Sequence, residues 1–168
     1  GVANHAKVNI KWVDSEHVTE ANAPQVFHDV KGILVPGGFG DRGIDGKIYA
    51  IQYAREHGIP FLGLCLGMQL SIVEFSRNVI GLRDAHSVEL DPSTTHPVIH
   101  LMPEQDGVED IGGTLRLGSY PCVLDRSSMA YGLYQEETIH ERHRHRYEVN
   151  NDYRGLLTKN GMKLSGLS

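Results

Sequence analysis

At 168 residues, 40% of them hydrophobic, the chain is long enough to bury a core as a single domain. A formal charge of -5 and a pI near 6.0 give it no global attraction to nucleic acid or to an anionic membrane. Cys65 and Cys122 lie far apart with no Cys-x-x-Cys pair, which argues against a disulfide framework or a zinc site and fits a reducing, cytosolic setting. No apolar run approaches the roughly 20 residues of a membrane span, and residues 1–7 do not read as a signal peptide.

Taken in order, residues 6–13 alternate with Val8, Ile10 and Trp12 on one face, which predicts a strand. Residues 14–31 are polar and irregular, with a short helix after Pro24. Gly32 to Val35 reads as a buried, parallel-type strand, ended by the loop Pro36-Gly37-Gly38-Phe39-Gly40-Asp41-Arg42-Gly43. That loop lacks both the G-x-G-x-x-G spacing and the terminal Gly-Lys-Ser/Thr of phosphate loops, so a nucleotide is not its expected ligand. It reads either as a turn needing positive φ or as a source of one backbone N–H of an oxyanion hole. A helix over 44–57 is stopped by Gly58, and a strand follows over 59–64.

Then comes Gly63-Leu64-Cys65-Leu66-Gly67, followed by a mostly apolar helix over 66–76. A reactive side chain between two glycines at a strand-to-helix corner has the pattern of a nucleophile elbow, with Cys in place of Ser. The helix start offers N–H groups and the positive end of its dipole to the sulfur. Cys65 is therefore the candidate nucleophile; the alternative, a buried structural cysteine, is disfavoured by the flanking glycines. The order strand, loop, helix, strand, elbow, helix implies an α/β fold. Its doubly wound, mostly parallel sheet carries ligands at the strands' carboxyl ends.

Beyond residue 84 the pattern changes. Residues 91–97 read as a loop, 98–101 and 114–118 as strands, 107–113 as a solvent loop and 127–134 as a short helix. The run His140-Glu141-Arg142-His143-Arg144-His145-Arg146-Tyr147-Glu148-Val149-Asn150 raises metal and nucleic-acid readings. As a strand it puts His143 and His145 on one face, yet no carboxylate or thiol clearly completes a metal set, so no metal site is assigned. The acidic total and the lack of interleaved aromatics weaken an RNA-binding reading, whose mark would be steeply salt-dependent binding. Arg142, Arg144 and Arg146 would share the other face, where one could hold a substrate carboxylate. The tail reads as a helix over Tyr153–Asn160 capped by Gly161, then a short strand over Met162–Leu167.

Five stretches together resemble the class I glutaminase (glutamine amidotransferase) domain of CTP synthases. They are Leu34 to Gly40, Pro60 to Gln69, Ala85 to Glu89, Gly112 to Gly118, and Arg142 to Asn150. The elbow is general to class I amidotransferases; the arginine–histidine run before Tyr-Glu-Val-Asn points to the CTP synthase branch and away from an acceptor such as GMP synthetase. The resemblance implies a flavodoxin-like fold with some antiparallel strands. It also implies hydrolysis of L-glutamine through a Cys65 thioester, with ammonia passed to a synthetase domain that aminates UTP. By position, Gly38 and Leu66 fall at the oxyanion hole and Gly67, Met68 and Gln69 line the same pocket. Glu89 and Arg146 would hold the amino-acid end. No cofactor is implied for this domain; ATP and Mg²⁺ belong to the synthetase domain. The parent is expected to be a cytoplasmic homo-oligomer.

One part of the family pattern is missing. None of the ten histidines is followed two positions later by Glu, and His96-Pro97 leads into Val98. The family's first β-α unit, its His-x-Glu segment and the synthetase domain are not within residues 1–168, which therefore read as a partial domain. As it stands the chain is expected to be inactive or weak alone, since a thiol without a base is a poor nucleophile. The remaining alternative is a non-catalytic binding module of the same fold.

Overall fold

The computed structural model describes residues 1–101 and 116–168. The expected loop over 107–113, and residues 114 and 115 of the expected strand, lie outside the described residues. The chain divides into two compact units, Gly1–Ser71 and Ile72–Ser168.

In the first unit, α1 (Ala23–Phe27) starts with Pro24 in its first turn, where the missing N–H costs nothing. Asn22 and Thr19 brace its entry by exchanging backbone-to-side-chain hydrogen bonds of 2.8 and 3.2 Å. Strand β1 (Ile33–Val35) pairs in parallel with β2 (Phe61–Gly63), with Val35 opposite Gly63 on the last rung. Between them runs α2 (Ile44–Glu56), which buries Ile44, Ile48, Ile51 and Tyr53, and Tyr53 meets Phe27 of α1 at 5.6 Å between ring centroids. The α2 backbone comes so close to the 3-10 turn Ser15–His17, which precedes α1, that a Cβ on Gly46 would stand 1.8 Å from the Ser15 carbonyl oxygen.

The strand expected over 6–13 does not form. Val8, Ile10 and Trp12 are 64, 67 and 89% exposed, and the segment has no ladder partner among the described residues. Period-two alternation makes a strand only where a neighbour takes up the backbone groups and covers the apolar face.

The division between the units falls within α3 (Leu66–Phe75), which continues as a π-helical turn, Ser76–Ile80, and stops at Gly81 at φ 91°. In the second unit β3 (His86–Ser87) runs parallel to β4 (Pro97–Leu101), and β7 (Tyr147–Val149) lies antiparallel on the other side of β4. A second sheet has β5 (Arg116–Leu124) between β6 (Thr138–His145) and β8 (Gly166–Leu167), both antiparallel to it. Val73, Ala85, Val98, Ile99, Leu124, Ile139 and Leu157 form this unit's apolar core.

Two short helices complete it. In α4 (Met129–Tyr134) the Ser128 side chain caps the first turn by accepting from Tyr131 N–H at 3.1 Å. Helix α5 (Arg154–Lys159) follows a 3-10 turn at Asn151–Tyr153 and ends before Gly161 at φ 102°. The architecture is α/β, the class that the alternation of elements predicts, with the antiparallel strands beside parallel ones that the resemblance implies. The last strand is only two residues long, where 162–167 is expected.

The arginine–histidine run is a bent element. Strand β6 ends at His145 on β5, whereas β7 begins at Tyr147 on β4, so Arg146 occupies the bend between two sheets. It therefore does not share a strand face with Arg142 and Arg144, which stay exposed on β6.

Candidate active site

The corner after β2 is shaped by backbone. Cys65 sits at φ 53°, a left-handed conformation in which a residue with a Cβ is strained. The turn has no room beside it: a Cβ on Gly63 would lie 2.6 Å from the Gly67 carbonyl carbon, and one on Gly67 would lie 2.1 Å from the Val35 carbonyl oxygen. Leu64 N–H donates to Val35 C=O and Gly67 N–H to Leu64 C=O, both at 2.9 Å, which ties the turn to the end of β1. Helix α3 starts at Leu66, directly after the sulfur-bearing residue.

The loop after β1 packs on that corner because Val35 and Gly63 close the same rung. A Cβ on Gly37 would be 3.3 Å from Cys65 Cβ and 3.8 Å from its Sγ, and one on Gly38 would be 3.6 Å from Leu66 Cδ2. Cys65 is half-buried; Leu66, Gly67 and Gln69 are buried and Met68 is exposed. Gly37, Gly38, Cys65 and Leu66 are thus brought together within the first unit, as the two loops predict.

In the second unit the structure brings Glu89 and Arg146 within electrostatic reach of each other. Glu89 lies in the turn after β3, its N–H donating to the Oγ of buried Ser87 at 3.2 Å. It keeps an exposed flank, but desolvation of its carboxyl pushes its pKa above the ordinary value, against the opposing pull of Arg146. Arg146 places its guanidinium carbon 5.7 Å from the Tyr147 ring centroid, and its Nε is buried with no hydrogen-bond partner among the described residues. A buried guanidinium N–H without an acceptor is costly unless an anionic group supplies one.

Residues 1–168 match the family described as Glutamine amidotransferase class-I. The chain belongs to that family. It is 60% identical to a CTP synthase of Halalkalibacterium halodurans and 58% identical to one of Clostridium acetobutylicum, over all 168 residues. It covers 32% and 31% of those chains, so it spans about a third of the length of the curated relatives it matches. Among solved structures it is similar to the glutaminase domain of Trypanosoma brucei CTPS with bound acivicin. The TM-score is 0.91 at 39% identity, covering 98% of this chain and 64% of that one. The fold is that of a class I glutamine amidotransferase.

This amidotransferase chain also holds a side-chain cluster that sequence reading misses. Arg116 Nη1 donates to both carboxylate oxygens of Glu148, at 3.2 and 3.0 Å. Its guanidinium carbon is 4.6 Å from the Tyr120 ring centroid, and its other terminal nitrogen donates to Ser168 Oγ. Glu148 supplies the carboxylate that the His-x-His spacing lacks: ligand atoms of His143, His145 and Glu148 all lie within 4.8 Å of one another. The sequence hides this trio because the bend at Arg146 returns Glu148 to the face of the two histidines. Burial, and then Glu141, pushes the pKa of the half-buried Cys122 thiol up. No helix among the described residues is long and apolar enough to cross a membrane.

Proposed function

We propose that this domain hydrolyses the side-chain amide of L-glutamine, with Cys65 as nucleophile, and that its parent protein uses the ammonia to aminate UTP to CTP. The carrying observation is the strained Cys65 in a corner where Gly63 and Gly67 leave no space for a Cβ and Gly37 packs closely on the cysteine. The thiolate attacks the amide carbon, the oxyanion is met by the N–H groups of Gly38 and Leu66, the nitrogen takes a proton from solvent as the C–N bond breaks and leaves as ammonia, and water then hydrolyses the glutamyl thioester to glutamate and the free thiol. Leu66 suits this role because the first N–H groups of a helix have no acceptor within it. Gly67, Met68 and Gln69 line the pocket on that helix.

Glu89 takes the substrate ammonium and Arg146 its carboxylate, a division of labour that a zwitterion requires. No residue of this chain is assigned to ATP or Mg²⁺, and the glutaminase step itself uses no cofactor. The synthetase reaction, a homo-oligomeric parent and a cytoplasmic location rest on the similarity to CTP synthases.

The test is an intact-mass spectrum of the protein after exposure to an electrophilic glutamine analogue. One adduct is expected on Cys65, lost in Cys65→Ser and blocked by excess glutamine. An adduct that glutamine does not block, or one that persists in Cys65→Ser, overturns the reading.

A further inference from the structure

We propose that His143, His145 and Glu148 form a binding site for one divalent transition-metal ion, held by two imidazole nitrogens and one carboxylate oxygen. This goes beyond the glutaminase reading and does not depend on it.

The site is assembled by the sheet. Alternation along β6 turns His143 and His145 to one side, both half-buried, while Arg142 and Arg144 on the other side are exposed. Gly118 pairs with His143 across the ladder and has nothing within 4 Å of where its Cβ would stand, so the strand opposite leaves that imidazole room. Tyr120 packs edge-on against the His143 ring at 5.6 Å and 87°, which limits its rotation. Glu148 reaches the pair from beyond the bend, and Arg116 fixes the carboxylate there.

The distances fit a metal better than they fit the alternative. The two Nδ1 atoms are 3.4 Å apart. That is long for a hydrogen bond between neutral imidazoles but matches the edge, about 3.3 Å, of a tetrahedron with metal–nitrogen bonds of about 2.0 Å. Each Glu148 oxygen accepts one hydrogen bond from Arg116 and keeps a further lone pair. Water would complete the coordination. Arg116 also decides the class of ion: its fixed positive charge opposes any cation held by charge alone, so Ca²⁺ and Mg²⁺ are poor candidates. Ions that bond strongly to imidazole, such as Zn²⁺ or Co²⁺, are favoured.

The test uses the intact protein carrying Cys65→Ser, which removes a competing thiol, titrated without glutamine with Co²⁺ and then Zn²⁺ in chelator-treated buffer. One equivalent of Co²⁺ should give the visible bands of a four-coordinate ion without a sulfur charge-transfer band, and Zn²⁺ should abolish them. His143→Gln and His145→Gln should each weaken Zn²⁺ binding by about tenfold or more. His140→Gln, exposed on the opposite side of β6, should leave it unchanged. Three results overturn the proposal: no Co²⁺ bands, a sulfur band that implicates Cys122, or equal weakening by His140→Gln. The titration of the parent protein decides the matter even if a histidine variant fails to fold.

Discussion

Cys65 and Arg146 are held in place by different materials. Around Cys65 the constraint is backbone against backbone: the β2-to-α3 turn rests on the end of β1, and Gly63 and Gly67 are the points where a Cβ would meet main-chain atoms. Around Arg146 the constraint comes from side chains and strand pairing: a bend between β6 and β7, the Tyr147 ring and the Glu89 carboxylate. A site built from backbone resists even the smallest added group, whereas one built from side chains degrades in steps as charge and reach are trimmed.

The largest structural effect should follow from Gly67→Ala. The new methyl would start 2.1 Å from the Val35 carbonyl oxygen, a main-chain atom that cannot step aside without disturbing the β1–β2 rung. Destabilisation of about 3 kcal/mol is expected, read from the shift of the denaturant midpoint at constant m-value. Gly38→Ala, whose methyl would find ordinary contact at 3.6 Å with a flexible leucine tip, should shift it far less. Equal effects at the two positions would break the distinction.

Arg146 should respond in steps. Measured in the full-length parent protein, Arg146→Lys keeps the charge but loses the planar fork and is expected to raise KM for glutamine about tenfold; Arg146→Ala should raise it about 100-fold, with kcat changed less. If lysine and alanine were equally damaging, geometry alone would govern this corner, as it does the elbow.

Glu89 gives a pH signature. Desolvation raises its pKa above the ordinary value of 4.5, so the anion that would bind the substrate ammonium is lost on acidification at a pH above that of a free carboxylate. KM for glutamine in the full-length parent protein should therefore rise as pH falls through that region, and Glu89→Gln should lack this limb. The stability effect has the opposite sense. A carboxyl whose folded pKa is raised contributes stability below its unfolded pKa and loses it as pH rises through the folded value. At neutral pH without substrate, Glu89→Gln should thus be slightly stabilising while it weakens binding. A Glu89→Gln variant that lost stability at neutral pH would show that the carboxylate serves the fold.

The same division explains what could be read from the sequence. Gly-x-Cys-x-Gly is contiguous, and its steric consequences are local, so the elbow, the glycine loop and the flanking strands and helices were all legible. Glu148 was not legible as the third member of a cluster, because its neighbours are set by the Arg116–His145 register and by a bend with no proline or glycine to announce it. The Arg146 face was misread for that reason. The strand over 6–13 failed differently: its alternation is real, but no partner among the described residues pairs with it. Local chemistry was readable where backbone alone shapes it, and pairing was not.

The smallest expected effect tests whether glycine matters only where backbone is crowded or left-handed. Gly155 lies inside α5 at ordinary helical φ, with nothing within 4 Å of where a Cβ would stand, so Gly155→Ala should stabilise the protein by about 0.5–1 kcal/mol through lower entropy of the unfolded chain. Gly161, six residues on, is just as open, but its φ of 102° excludes a relaxed alanine. Gly161→Ala should destabilise by about 1 kcal/mol. Since neither methyl meets a neighbour, opposite signs in urea melts would isolate the backbone term. A stabilising Gly161→Ala would show that this turn readjusts freely, and that the elbow's intolerance comes from crowding, with its left-handed φ contributing little.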